Sequence, residues 1–301
     1  MGTTHLLFHN QGRGRPIGGG SSEISFPLDG YVGVRVAFSV RRLLTTYEGS
    51  LIRLRRQSDD AELDFGFDSN GDLDVAVIVA WLGGSNGWVV TWYDQSGNGY
   101  NATQAVAATQ PQYIANGINS KPVIRNNPAG NFDKLVFPDE VFRNLSAGTM
   151  FSVGELHTHT GGNNAMAGGL FDTTNAEYGM YLAVRDSDGK IMFFFGNANE
   201  NRSSTVFVTT DPHIYVGKGA NGVLSSVYVD GIEVAYEGAR HVIGTTTIAG
   251  FIRDGAIGQT DSVGEGNDAD ADYAEYIVVD SALLDGTRSA LESNQSSYYN
   301  I

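Results

Sequence analysis

Downstream of residue 120 the chain reads as short apolar runs, many of them alternating, separated by turns rich in glycine and aspartate. Segments 123–125, 134–137, 151–157, 169–172, 180–185, 191–196, 205–208, 213–218, 224–229 and 232–236 fit strands by their period of two and their Val, Ile, Phe and Tyr content. Asp186-Ser187-Asp188-Gly189 and Asp230-Gly231 mark hairpins, because glycine supplies the positive φ of a tight turn. Residues 274–279 alternate once more, and 281–298 read as a short helix with a tail. No repeating βαβ alternation is present, so the pattern predicts a two-sheet, all-β sandwich.

The N-terminal part has a different texture. Val36, Val40, Leu43, Leu44 and Tyr47 fall at helical spacing with Arg41 and Arg42 opposite, which predicts an amphipathic helix over 34–47. Residues 51–56 alternate as a strand. A short helix is expected over 73–82, with Asp72 as N-cap and Gly83-Gly84 as its stop. Residues 88–93 form an apolar strand on which Trp88 and Trp92 share one face and read as core. Residues 9–22 are too rich in glycine for a helix or a central strand, and order only on a partner if at all. The expected division is a Gly-rich arm over 1–22, a helix- and strand-containing appendage over 23–120 packed on the sandwich, and the sandwich over 121–301.

Charge narrows the choice of partners. The chain has 301 residues and a formal charge of −15, which argues against nucleic acid because phosphate binding needs clustered Lys and Arg. Residues 1–56 carry a net +5 and the remainder −20. Two readings of that asymmetry stand: docking of the N-terminal region on an acidic surface, or ion pairs within the hairpin that joins Arg53, Arg55 and Arg56 to Asp59, Asp60 and Glu62. The sequence contains no cysteine, so neither disulfides nor thiolate metal sites are available. The first residues lack the basic and apolar regions of a signal peptide, and no apolar run approaches a membrane span of ~20 residues.

The most informative stretch is Trp92-Tyr93-Asp94-Gln95-Ser96-Gly97-Asn98-Gly99-Tyr100, an aromatic strand running into a small polar turn. Preceded by Arg41-Arg42, by Leu51-Ile52-Arg53-Leu54-Arg55-Arg56 and by Asp64-Phe65-Gly66-Phe67, it resembles the N-terminal part of the catalytic domain of arabinofuranosidase-B-type α-L-arabinofuranosidases. It is also similar to a block in bacteriophage virion proteins, where it precedes a concanavalin A-like (LamG-like) jelly roll. The good match covers about 35–125. The resemblance implies an all-β, concanavalin A-like jelly-roll sandwich with a small helix-containing N-terminal appendage.

As an enzyme of this type, the chain would be a retaining glycosidase with two carboxylates ~5 Å apart. The resemblance implies Glu200, followed by Asn201, as nucleophile, and Asp268 as acid/base, with Glu265 second to it. The family's aromatic and aspartate flanking the nucleophile have no counterpart here, and its vicinal disulfide is missing because there are no cysteines. Asp268, Asp270 and Asp272 repel one another unless a cation is near, so a structural Ca2+ is the one cofactor left open. His157 and His159 share a strand face, a geometry used by some metal sites and more often by surface histidines. Asp68-Ser69-Asn70-Gly71-Asp72 reads as turn capping. Tyr100, Asp94 and Asn98 are candidates for ligand binding on the polar turn.

The resemblance to virion proteins, together with the missing leader, leads to the expectation of a bacteriophage virion structural or decoration protein at the particle surface. Leu6, Leu7, Phe8, Arg13 and Arg15 would be its interface to other virion proteins or to further copies of itself, and its loops would touch cell-surface glycan. The alternative is a retaining α-L-arabinofuranosidase-like glycoside hydrolase.

Overall fold

The computed structural model describes residues 25–126, 133–158, 163–172, 177–185, 189–196, 201–206, 211–240, 254–258 and 269–301. The first elements are β1 (Val34–Ser39), β2 (Ile52–Arg56), β3 (Glu62–Phe65), α1 (Val75–Leu82), β4 (Gly87–Trp92), β5 (Ala102–Thr103), β6 (Gln112–Ile114) and β7 (Val123–Asn126). There follow β8 (Leu135–Phe137), β9 (Ala147–Thr158), β10 (Asn163–Asp172), β11 (Glu177–Arg185), β12 (Lys190–Phe195) and β13 (Asn201–Val206). The last are β14 (His213–Ala220), β15 (Ser226–Val229), β16 (Ile232–Glu233), β17 (Gly255–Ile257), β18 (Asp270–Val279) and α2 (Asp285–Tyr299).

Every pairing between these strands is antiparallel. In one layer β18 lies between β9 and the successive strands β1 and β7, and β14, β15 and β16 extend it beyond β9. The other layer runs β13, β12, β11, β10, β17, β8. The layers approach closely where glycines stand: a Cβ on Gly217 of β14 would lie 2.3 Å from the Phe193 ring of β12. The strands β3, β2 and β4 form a small annex, joined to both layers through β5 and β6. The fold is the expected all-β jelly-roll sandwich with a helix-containing N-terminal appendage.

Two local expectations are corrected. Residues 34–39 form β1, not the start of a helix over 34–47. Val36, Ala37, Phe38, Ser39 and Val40 are all buried, so the strand is covered on both faces; its continuous apolar run mimics helical spacing without being helical. Trp88 and Trp92 do not share a face. Arg53 pairs with Thr91 but Leu54 with Val89, so a bulge at Val90 reverses the alternation. Trp92 is fully buried and stacks on Phe38 at 5.6 Å, whereas Trp88 is half-buried.

Other local signals hold, apart from the residue that caps the first helix. Helix α1 is capped by Asp74, two residues beyond the expected Asp72, through a 3.1 Å bond from the Val77 amide, and it stops at Gly83 in the left-handed region (φ 58°). The Asp68 carboxylate caps its own turn, accepting from the amides of Asn70 and Asp72. Asp230 and Gly231 have φ of 49° and 80°, as a tight hairpin turn requires. The Arg-rich strand is neutralised locally: Arg53 pairs with Asp64, Arg55 with Asp60 and Arg56 with Asp59.

The core centres on Phe38, Trp92, Phe137, Phe142 and Tyr276, with adjacent ring centroids 5.6–6.1 Å apart. Beside it lies a buried polar knot. Glu275 of β18, fully buried, accepts from Arg41 Nε (3.0 Å), Ser39 Oγ (2.9 Å), Gln295 Nε2 (2.9 Å) and Tyr299 OH (3.2 Å). The Arg41 guanidinium lies 4.2 Å over the Tyr298 ring, so strand β1's continuation, strand β18 and helix α2 meet on one ion pair. Removing one partner of such a pair strands a charge in the interior. Arg41→Met is expected to destabilise the fold by about 3–5 kcal/mol, read from the urea midpoint, and a loss below about 1 kcal/mol would contradict this role.

Candidate functional site

A five-residue charged cluster is built where β7, β18 and β9 run side by side. Asp272 of β18 stands opposite Arg125 of β7 on one side and Glu155 of β9 on the other. The register slips between Asp270, paired with Thr158, and Ala271, paired with Leu156. This bulge brings the His157 ring to both aspartates, a way in which bulges re-aim side chains. His157 Nδ1 is 3.2 Å from Asp270 Oδ1, and Nε2 is 3.3 Å from Asp272 Oδ2 and 4.0 Å from Glu155 Oε1. Arg125 grips Asp272 with two bonds of 2.6 and 2.7 Å.

The environments of these groups diverge. Burial pushes the Glu155 carboxyl above its ordinary range, and His157 pulls it back only in part. Burial also pushes Asp272 upward, but the hydrogen bonds from Arg125 and then His157 outweigh it and hold that carboxyl below its usual value. The bond to Asp272 raises His157 against the opposing effect of burial. The two neighbouring carboxyls are thus shifted in opposite directions, Glu155 upward by burial and Asp272 downward by its hydrogen bonds.

Glu155, His157 and Asp272 offer ligand atoms within 4.8 Å of one another. A divalent cation there would need neutral His157 and would compete with Arg125 for Asp272. The donor set also includes an imidazole, whereas Ca2+ takes oxygen ligands. Asp270 and Asp272, named as Ca2+ ligands from sequence, instead face an imidazole and a guanidinium, the cations their spacing called for. Asp268 lies outside the described residues, as do His159, Glu265, Glu200, Leu6, Leu7, Phe8, Arg13 and Arg15. Sequence reasoning missed Arg125 and Glu155, because only cross-strand register brings them to Asp272.

The polar turn after Trp92 acts mainly as a fastening. The buried Asp94 carboxylate accepts from the amides of Ala37, Ser96 and Tyr100 and from the Ser96 hydroxyl. Asn98 donates to the carbonyls of Val34 and Arg35, and Gln95 bridges the Leu43 amide and the Arg41 carbonyl. These bonds tie the turn to β1 and the segment after it. Tyr100 differs: it lines a cleft of about 410 Å³ together with Arg35, Glu140, Arg143 and Asp280.

The raised His157 contributes stability that is complete below its unfolded value and is lost as pH rises through its higher folded value. Asp272 acts in the opposite sense, losing its contribution only as pH falls through its lowered value, well into acid. The stability gap between wild type and His157→Gln should therefore be larger at about pH 5.5 than at about pH 8.5 in urea unfolding. A gap that is unchanged or widens at the higher pH would contradict the imidazolium assignment.

Residues 30–221 match the family described as alpha-L-arabinofuranosidase B, catalytic. No curated protein matches the chain. Among solved structures, an arabinofuranosidase complexed with arabinofuranosyl-α-1,2-xylobiose superposes with a TM-score of 0.66 at 18% identity, over 89% of this chain and 64% of that one. A GH54 α-L-arabinofuranosidase soaked with a cyclic sulfate inhibitor gives 0.64 at 17% identity with the same coverage. The chain thus spans about 64% of the length of these arabinofuranosidases, and the likeness is one of fold. The match to an enzyme's catalytic domain overturns the expectation of a virion decoration protein, and the particle-surface location falls with it. With the match covering well over half its length, the chain belongs to the family of arabinofuranosidase B catalytic domains.

Proposed function

We propose that the chain is a glycoside hydrolase module that cleaves α-L-arabinofuranosyl linkages with retention of configuration. The observation that carries this reading is the match of residues 30–221 to the arabinofuranosidase B catalytic family. The sandwich shared with arabinofuranosidases over 89% of the chain supports it.

In this reading Glu200, which lies inside the matched span, attacks the anomeric carbon while Asp268 protonates the departing oxygen. A glycosyl ester on Glu200 forms and the glycosidic C–O bond breaks. Asp268, now ionised, takes a proton from water, whose oxygen attacks the anomeric carbon and releases Glu200. Asp270 and Asp272, both held by His157, fix the start of the strand that Asp268 precedes. Without cysteines the module has no vicinal disulfide against the sugar, so its substrate contacts are its own.

The test is hydrolysis of 4-nitrophenyl α-L-arabinofuranoside by wild type and two variants. Wild type should release nitrophenol, Asp268→Asn should lower kcat by about 10²–10⁴-fold, and Glu200→Gln should remove turnover. An inactive wild type would contradict the function, and full activity in both variants would contradict the residue assignment.

A further inference from the structure

A second cleft, of about 350 Å³, lies between α2 and the β14–β15 strands and is lined by none of the five residues of the charged cluster. That volume falls in the range of roughly 300–1,000 Å³ common for small-molecule sites. Ser289, Ser293 and Ser297 recur every four residues along α2 and present a row of hydroxyls to it. Asp230, at the tip of the β15–β16 hairpin, and Ile214 complete the walls named here. The opposite face of α2 carries Leu291, Gln295 and Tyr299 into the core.

Glu292 is the unusual group. It lines the cleft, yet only 3% of the residue is exposed. One carboxyl oxygen accepts from Arg288, whose guanidinium is anchored 3.7 Å over the Tyr228 ring. The other, Oε1, is buried without a hydrogen-bond partner. Burial lifts this carboxyl to about 7, with Arg288 opposing, the Asp230 charge adding to the rise and the Gly231 backbone amide also opposing, so near neutral pH it can accept or donate a proton in a hydrogen bond. Leaving a buried polar oxygen unmatched costs about 1–3 kcal/mol, a cost offset if the Glu292 side chain turns slightly toward the cleft and meets a ligand hydroxyl.

The surroundings choose the ligand's charge. Arg288 next to Glu292 disfavours a cation, and the carboxyls of Glu292 and Asp230 disfavour an anion. A row of serine hydroxyls, each donor and acceptor, suits a neutral ligand bearing several hydroxyls, while Ile214 offers an apolar wall to C–H groups. We propose that this cleft is a saccharide-binding site, in which Glu292 and the serine row of α2 hold one sugar unit. The site is separate from the hydrolytic reading above and does not depend on it.

The experiment is NMR titration of the full chain with xylobiose and, separately, with L-arabinose, in wild type, Ser293→Leu and Ser297→Leu. Ser293 and Ser297 are exposed, so either leucine fills the cleft without disturbing the core. The expected result is saturable binding of at least one of the two sugars in wild type, weakened about tenfold or more in both variants. Absence of saturable binding by either sugar would overturn the proposal. So would binding unchanged in both variants, which would assign it to another site. Nitrophenyl arabinofuranoside hydrolysis by the wild type is measured in a separate assay, so failure of the hydrolytic reading and failure of this one are read separately.

Discussion

The Arg41–Glu275 ion pair is the constraint on which the arrangement of the two ends of the chain depends. Taking both charges out of water costs several kcal/mol per ion before any return. The return comes only if every remaining donor and acceptor is met. Ser39, Gln295 and Tyr299 supply bonds to Glu275, and the Tyr298 ring covers the guanidinium. Those residues come from β1 and α2, so the neutralised pair forms only when the N-terminal strand and the C-terminal helix are both seated on β18. Hydrophobic packing of Phe38 against Tyr276, at 6.1 Å, works in the same direction but does not select a single register as a directional pair does.

The same seating fixes the charged cluster on β18. Strand β18 carries Glu275 in the knot and Asp272 in the charged cluster, three residues apart on one strand. The slip in register between Tyr273 and Glu275 lets one strand serve both. The YDQSG turn adds a second fastening to β1 through Asp94 and Asn98. Much of the polar chemistry that looks like a binding surface in the sequence is thus structural, and among the described residues the cluster around Asp272, the Tyr100 cleft and the α2 cleft are places where polar groups face a space or one another.

How much was legible in the sequence follows from which forces are local. The Asp230-Gly231 hairpin, the Asp68 turn, the Gly83 stop and the Arg/Asp hairpin were readable because each is a local feature, the widest span being the 11 positions between Arg53 and Asp64. The strand at 34–39 was misread because burial on both faces erases the alternation that identifies strands, and the Trp88/Trp92 error came from a bulge that leaves no compositional mark. At the charged cluster, the repulsion among Asp268, Asp270 and Asp272 signalled a missing cation. That the cations are Arg125 and His157 depends on pairings 113–147 residues apart in sequence, which no local pattern encodes. Choosing between virion protein and hydrolase depended on the family match rather than on any single residue.

The central claim is that this sandwich runs a double-displacement hydrolysis. Proton NMR of the first-formed sugar during hydrolysis of an α-L-arabinofuranoside tests it most directly, because a covalent glycosyl intermediate returns the starting configuration. The account predicts α-arabinofuranose as the initial product, with the β form growing in only by mutarotation. Initial release of the β anomer would contradict the two-carboxylate retaining mechanism, and absence of any sugar release would contradict the hydrolase itself.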